Sequence, residues 1–191
     1  MNALSLAVEK LRKSTLEEIV KKSGVRVDRE RNVLLVPYLN KTYFLNLEDF
    51  TFQDETSLST KEKILILRYL SNCNDVLETG NLISFSELEA GNIYKPSIEA
   101  RIYQPIISRF GSDVGDFLRK TALLGAQHAG IGEFSVKLKV FPKVFIYIIV
   151  YPADEEFPAS CQILFDSSIK QIFDTEDIVV MCEEITEKIV C

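Results

Sequence analysis

The sequence has 191 residues, of which 47% are hydrophobic and 26% are charged, and its net charge is −6. This composition is typical of a globular protein, and the length suits one domain, residues 1–191, with a substantial core. The 22 basic residues are scattered among 28 acidic ones, which excludes a dense basic surface for nucleic acid.

The sequence offers no apolar run of the roughly 18 to 20 residues needed to span a bilayer. Its N-terminus lacks a basic segment before its first apolar residues and soon carries Glu9 and Lys10. This pattern indicates a helix rather than a signal peptide. We therefore expect a cytoplasmic protein with no membrane contact.

The N-terminal part predicts helices and then short strands. Apolar positions between residues 3 and 23 indicate two helices or one interrupted helix, with a capping box of Ser14 and Glu17 and an end at Gly24. The runs that follow, VRV, NVLLVPYL and TYFLNL, predict short strands.

The middle of the chain is mainly helical in pattern. A capping box from Ser59 to Glu62 opens a helix, KILILRYLSN, that is apolar on almost every side. LISF predicts a short strand, and SELEAGNIYKPS predicts a loop. Residues 97–110 look helical, with a kink or restart at Pro105, and Ser112 is the predicted cap of a further helix.

The last third predicts three consecutive strands and a final helix. FSVKLKV alternates as a half-exposed strand does, residues 144–151 (VFIYIIVY) are apolar on both faces, and CQILF is a third strand. DTEDIVVMCEEITEKIV predicts a capped C-terminal amphipathic helix. Because the strands come in sets joined by short turns, the fold class is α+β, with a mainly antiparallel sheet and helices packed on it.

Enzyme signatures are absent from the sequence. It contains no phosphate-binding, dinucleotide-binding, serine-hydrolase or zinc-protease motif. His128 is the only histidine, and the four cysteines match no metal-site spacing, so we expect reduced thiols, no bound metal and no catalytic residues.

An acidic stretch, DEEFP at residues 154–158, is the most distinctive local group of charged residues in the sequence. An antiparallel strand after it carries Asp166 toward the opposite end of the sheet, so Asp154 and Asp166 should not share a metal ion. Asp166 and the serines after it predict a turn or a helix cap. Loops that carry adjacent charges beside an aromatic residue are often functional.

Six segments resemble, in order and spacing, a family of domains of unknown function from anaerobic bacteria and archaea. They are ILILRYL, ISFSELEAGNIY, QPIISRFG, VFPKV, DEEFPASCQILFDSSI and TEDI, and the resemblance covers roughly residues 60–180. DEEFP, LFDSSI and TEDI in series are its most specific part. Where the family usually has a Pro-Gly-Gly-like turn, this chain has residues 88–91, LEAG.

The resemblance implies a role in anaerobic one-carbon metabolism. Some members carry an iron–sulfur domain similar to that of the corrinoid iron–sulfur protein, which implies a corrinoid (cobamide) or similar tetrapyrrole as cofactor and a methyltransferase or iron–sulfur redox protein as partner. Many corrinoid carriers supply an axial histidine from Asp-x-His-x-x-Gly. Here Ala126 and Ile131 take the Asp and Gly positions around His128, so binding is expected with the cofactor's own base or with none.

Two loops combine aromatic with charged residues, as a mostly apolar site with a few polar anchors requires. We therefore predict a cofactor surface with aromatic cover, carboxylate acceptors and one arginine for a phosphate or carboxylate. Its residues are Phe85, Glu87, Tyr94, Arg101, Asp154, Glu155 and Phe157. The alternatives are that the aromatic residues are core and Arg101 pairs with Glu87 or Glu99, and that the chain is a ligand-free interaction module or an enzyme that uses its carboxylates.

Overall fold

A computed structural model describes residues 3–54 and 57–191 of the chain. The N-terminal residues of the described part fold into two helices. Helix α1 spans Ala3–Leu11 and α2 spans Leu16–Ser23. The capping box of α2 lies one residue later than predicted: the Thr15 hydroxyl accepts from the Glu18 amide, and the Glu18 carboxylate accepts from the Thr15 amide. Gly24 ends the helix with a φ of 71°, a left-handed conformation that suits glycine.

A small sheet follows the two helices. Strands β1 (Arg26–Asp28), β2 (Val33–Tyr38) and β3 (Lys41–Asn46) pair antiparallel in chain order. The first two residues of β2, Val33 and Leu34, are fully buried. The sheet joins the rest of the fold where the Leu39 amide donates to the Val140 carbonyl at 2.9 Å.

The main sheet has five antiparallel strands in the order β4-β8-β7-β6-β5. Their bounds are β4 Leu82–Ser84, β5 Gln127–His128, β6 Ser135–Phe141, β7 Val144–Tyr151 and β8 Ser160–Asp166. Strand β7 lies at the centre, as its two-sided apolarity predicted, and six of its eight residues are buried. The short β4 pairs only with Leu164 to Asp166 at the end of β8.

Helices cover one face of the main sheet. They are α3 Thr60–Asn72, α4 Lys95–Ile98, α5 Gln104–Phe110, α6 Val114–Ala122 and α7 Thr175–Val190. The capping box of α3, Ser59 with Glu62, is confirmed. The cap of α6 is Asp113 rather than the predicted Ser112, since the Asp113 carboxylate accepts from the Asp116 amide. The predicted apolar stripe of α7 is buried throughout, and the predicted α+β class is confirmed.

In the part of the chain that the structure describes, no helix combines the length and the apolarity that crossing a membrane requires.

The Asp166 carboxylate ties the loop before β4 to the end of β8. It is 2% exposed and accepts hydrogen bonds from the amides of Thr79, Gly80 and Ser168 and from the Thr79 hydroxyl. Burial acts to raise the pKa of Asp166, but hydrogen bonds from Ser168, Thr79 and Gly80 outweigh it and hold the pKa below its ordinary value. The predicted turn or cap at Asp166 is confirmed, and it also carries a tertiary contact.

We expect the amides of Ile146, Ile148 and Val150 to exchange with solvent among the slowest in the protein, because they lie in the central strand and are at most 1% exposed. Hydrogen exchange followed by NMR would measure this. Exchange of these amides as fast as that of the chain termini would contradict the assignment of β7 as the central strand.

We expect Asp166→Asn to lower the free energy of unfolding at pH 7 by about 2–3 kcal/mol, because the amide presents its own donors to the Thr79 and Gly80 amides. Asp154→Asn is the matched control: Asp154 also accepts from backbone amides, but it is exposed, so this substitution should move the urea midpoint much less than Asp166→Asn does. Urea unfolding measures both.

The same variant has a signature in pH. Because the folded-state pKa of Asp166 is depressed, its stabilising contribution is complete above the unfolded pKa of about 3.9 and is lost as the pH falls through the lower folded-state value. The difference between wild type and Asp166→Asn should therefore shrink below about pH 4. A difference that stays constant down to pH 2 would show that the carboxylate charge is not what stabilises the loop.

Candidate binding pocket

The segment from Phe85 to Tyr94, predicted as a loop, is built from two 3₁₀ turns, Phe85–Glu87 and Gly91–Tyr94. Phe85 anchors it: the ring is 5% exposed and meets Phe165 edge-on, with centroids 4.8 Å apart. Gly91 closes the segment so tightly that a Cβ there would lie 1.9 Å from the Phe85 carbonyl oxygen. Only glycine fits at this close approach.

The polar residues predicted for this region have defined structural contacts. Glu87 accepts from the Ser84 amide and hydroxyl at 2.8 and 2.9 Å, and these bonds lower its pKa. Arg101 contacts the largely buried carboxylate of Glu183 at 3.3 Å, rather than Glu87 or Glu99 as the alternative supposed. Tyr94 is half-buried against the core.

A π-helical segment, Glu99–Tyr103, lies between α4 and α5, where the sequence predicted a kink or restart. Pro105 explains it, because proline has no amide hydrogen and its ring conflicts with the carbonyl four residues earlier in a regular helix. The wider turn is closed by the Gln104 amide, which donates to the Glu99 carbonyl. Single π turns of this kind are frequent at functional sites.

A pocket of about 320 Å³ lies between the 3₁₀ turns, the π segment and β8. Its lining comprises Ser84, Phe85, Ser86, Gly91, Asn92, Lys95, Ile98, Glu99, Tyr103 and Gln162. The floor is apolar, with the rings of Phe85 and Tyr103 in edge-to-face contact at 6.3 Å. Asn92, Lys95 and Gln162 are exposed around the rim. An apolar floor with a few polar groups is typical of small-molecule sites.

Tyr103 is a half-buried residue in the floor of this pocket. Burial raises its pKa to about 12, against the opposing effect of a hydrogen bond to the backbone of Ile163. Strand β4 pairs with Leu164 to Asp166 of β8, so Ile163 lies on the part of the β8 edge that β4 does not cover. The Tyr103 phenol covers this part of the edge. The phenol is therefore neutral at physiological pH.

The DEEFP turn forms part of the connection between β7 and β8, and none of its residues lines the pocket. The Asp154 carboxylate accepts from the amides of Glu156 and Phe157 at 2.8 and 2.7 Å, which lowers its pKa. Glu155 is exposed, and 66% of Phe157 is exposed. As predicted, the register of β7 and β8 puts Asp154 and Asp166 at opposite ends of the sheet. Of the seven predicted residues, Phe85 lines the pocket and the other six do not.

A larger cavity of about 500 Å³ lies near the start of α7. The polar groups around it hold the helix in position: Asn72 donates to the Ile172 carbonyl, and Thr175 donates to the Glu89 carbonyl. Arg68 pairs with Asp177, whose pKa is raised to about 6 by burial and by neighbouring carboxylates despite that arginine. We prefer the smaller pocket as the candidate site because its lining is the more apolar of the two and includes two aromatic rings, those of Phe85 and Tyr103.

Within residues 3–54 and 57–191, no three or more His, Cys, Asp or Glu side chains are placed to hold a metal ion. The cysteines are free thiols: Cys73 and Cys182 are buried, Cys161 is half-buried and Cys191 is exposed. Burial raises the pKa of Cys161 to about 12, so it is a neutral thiol at physiological pH.

Ten residues line the pocket, and the surface predicted from the sequence includes one of them, Phe85. It omits the other nine, among them Asn92, Lys95, Glu99, Tyr103 and Gln162. Pro105 was the available signal for two of them, because an interruption of the helix near that residue changes which side chains face the sheet. Gln162 carries no such signal, since an exposed polar residue on a strand is ordinary.

We expect Gly91→Ala to destabilise the protein by more than about 2 kcal/mol, because the added methyl group conflicts with the backbone oxygen of Phe85 and the turn must open. Gly115→Ala is the control. That glycine lies in α6, where a Cβ would be 3.4 Å from the nearest side-chain atom, and alanine favours the helix. Thermal unfolding compares the two variants, and equal melting temperatures would contradict the tight closure at Gly91.

Comparison with known proteins gives a family but no characterised relative. No curated protein and no solved structure matches the chain at a significant level. A family model described as a domain of unknown function, DUF3786, matches residues 15–188, a longer span than the roughly 60–180 expected from the sequence. The chain therefore belongs to the DUF3786 family of domains of unknown function.

Proposed function

We propose that this chain is a cofactor-binding domain with no chemistry of its own, and that its cofactor is a corrinoid used in anaerobic one-carbon metabolism. The observation that carries the binding role is the pocket with an aromatic floor beside the π segment Glu99–Tyr103. The choice of a corrinoid rests on the sequence resemblance to a family with corrinoid-associated members.

The carboxylates near the pocket support binding over catalysis. Glu87 is hydrogen-bonded to Ser84, and the Glu99 carboxylate accepts from the Gln104 amide group at 2.8 Å. Carboxylates engaged in this way hold the walls of a site in position. A general acid or base would instead have to reach the reacting atom within hydrogen-bond distance.

The size of the pocket limits how a corrinoid would bind. At about 320 Å³ it lies near the lower end of the about 300–1,000 Å³ typical of small-molecule sites. A corrinoid carries a macrocycle, several amide side chains and a nucleotide arm, and together these exceed that volume. The proposal therefore has one part of the cofactor in the pocket and the macrocycle over its mouth.

The polar groups at the mouth suit the edge of such a macrocycle. Asn92 and Gln162 are exposed amides that pair well with the amide side chains of a corrin. Tyr94 and Arg101, which the sequence suggested as cover and anchor, lie in the same stretch of chain, and the Arg101 guanidinium is 66% exposed despite its contact with Glu183. Both are candidates for contacts outside the pocket.

A second candidate function, a protein interaction module, is favoured by the DEEFP turn. Phe157 is 66% exposed on a turn held by two hydrogen bonds to Asp154 and flanked by the carboxylates of Glu155 and Glu156. An aromatic residue presented among charges is typical of an interface anchor. The proposed partners are a methyltransferase or an iron–sulfur redox protein, and the two functions are compatible because no residue of the turn lines the pocket.

Titration with cobamides tests the cofactor proposal. We expect hydroxocobalamin to change its absorbance spectrum on addition of the protein and to raise the unfolding free energy by about 2.7 kcal/mol at a hundredfold excess over its dissociation constant. Haem is the comparison ligand, because it is a planar tetrapyrrole without amide side chains or a nucleotide arm. No spectral change and no thermal shift with any cobamide at tens of micromolar would reject the corrinoid and favour the interaction module.

A further inference from the structure

The pocket beside the π segment has the size and chemistry of a site for a single heterocycle. Its floor is made by Phe85 and Tyr103. The planes of these two rings are inclined at 71°, so they form one apolar surface and not two parallel faces between which a ring could insert. Ile98, 3% exposed, closes the bottom. A flat ring system packs well against such a floor, whereas a macrocycle with side chains around its whole edge does not enter a space of this volume.

The rim supplies hydrogen bonds of the kind that a heterocycle needs. Asn92 and Gln162 lie on different elements, the second 3₁₀ turn and β8, and both line the pocket with exposed side chains. Each amide offers a donor and an acceptor. Ring nitrogens and exocyclic groups are recognised through such amide pairs.

The charge at the rim favours an anion attached to the ring. Lys95 is exposed and lines the pocket, and it begins the helical segment that continues into the π turn. The lining has one other charged residue, Glu99, whose carboxylate accepts a hydrogen bond from the Gln104 side-chain amide at 2.8 Å and keeps its negative charge. Lys95 is therefore the only basic residue among the lining residues, and lysine is a common binder of phosphate.

We infer that this pocket recognises a heterocyclic base carrying a ribose phosphate, with the base on Phe85 and Tyr103, its polar edge at Asn92 and Gln162, and the phosphate at Lys95. Two sources provide this chemistry: the nucleotide arm of a cobamide and a free mononucleotide. The nucleotide arm is the source if the proposed function holds, and the inference rests on that function only for this choice of source.

Isothermal titration with four probes separates these possibilities. The probes are cobalamin, cobinamide (the same macrocycle without the nucleotide), α-ribazole phosphate (the nucleotide arm alone) and adenosine monophosphate. We expect cobalamin and α-ribazole phosphate to bind, and we expect cobinamide to bind at least about tenfold more weakly than cobalamin, since it lacks the charged hydrogen bond and the ring contact.

Variants connect binding to the pocket. Lys95→Ala should weaken α-ribazole phosphate by about tenfold, the lower end of the range for a charged hydrogen bond because the site is exposed. Gln162→Leu should weaken it by a similar factor. Lys13→Ala is the matched control, since Lys13 is also exposed but lies after α1, outside the pocket. The control should leave affinity unchanged.

The outcomes distinguish this inference from the proposed function. Cobinamide binding as tightly as cobalamin would overturn the inference and leave the corrinoid function standing. Binding of α-ribazole phosphate or adenosine monophosphate without either corrinoid would support the inference and overturn the corrinoid function. Equal affinity of wild type and Lys95→Ala for the phosphate probes, or no binding of any nucleotide-bearing probe, would also overturn the inference.

Discussion

The buried carboxylate of Asp166 determines where β4 pairs, and the candidate pocket depends on that pairing. Its hydrogen bonds to the amides of Thr79 and Gly80 bring the chain to the edge of β8 immediately before β4 begins. Strand β4 is only three residues long and ends at Ser84, so the chain turns away and forms the wall that contains Phe85 and Gly91. An unsatisfied carboxylate at 2% exposure would be costly, which is why this arrangement is specific.

The strand edge that β4 leaves open explains the position of the pocket. Beyond Leu164, β8 has no strand on that side, and the π segment packs against it instead. An uncovered edge invites pairing with another chain, and a helix laid against it is a common solution. Because a helical segment does not follow a strand edge closely, a space remains between them, and that space is the pocket.

Most of the fold follows from patterns in the sequence. The two-sided apolarity of residues 144–151 predicts a central strand, and the stripe of α7 predicts its buried face, because burial and periodicity are local properties of the sequence. The caps at Thr15 and Asp113 lie one residue from their predicted positions, since neighbouring serine, threonine and aspartate residues compete for the same role.

The candidate site was only partly predictable. Aromatic and charged residues in two loops suggested one surface, but the sequence does not determine which loops meet, and no residue of the turn at Asp154 lines the pocket at Phe85. Contacts such as that of Arg101 with Glu183 join residues 82 positions apart in the chain. Pairings of this kind depend on the packing of α7 against the π segment, which no local pattern reports.

The tie between Thr79 and Asp166 has a consequence for folding kinetics. These residues are 87 positions apart in the chain, whereas β6, β7 and β8 are joined by short connections and pair with their neighbours in sequence. Closing the long loop costs chain entropy before any contact compensates for it, so β4 should dock late, onto an already formed β6–β7–β8 unit. The pocket would then be among the last parts to form and among the first to open in native-state fluctuations, and a ligand held there would slow its opening.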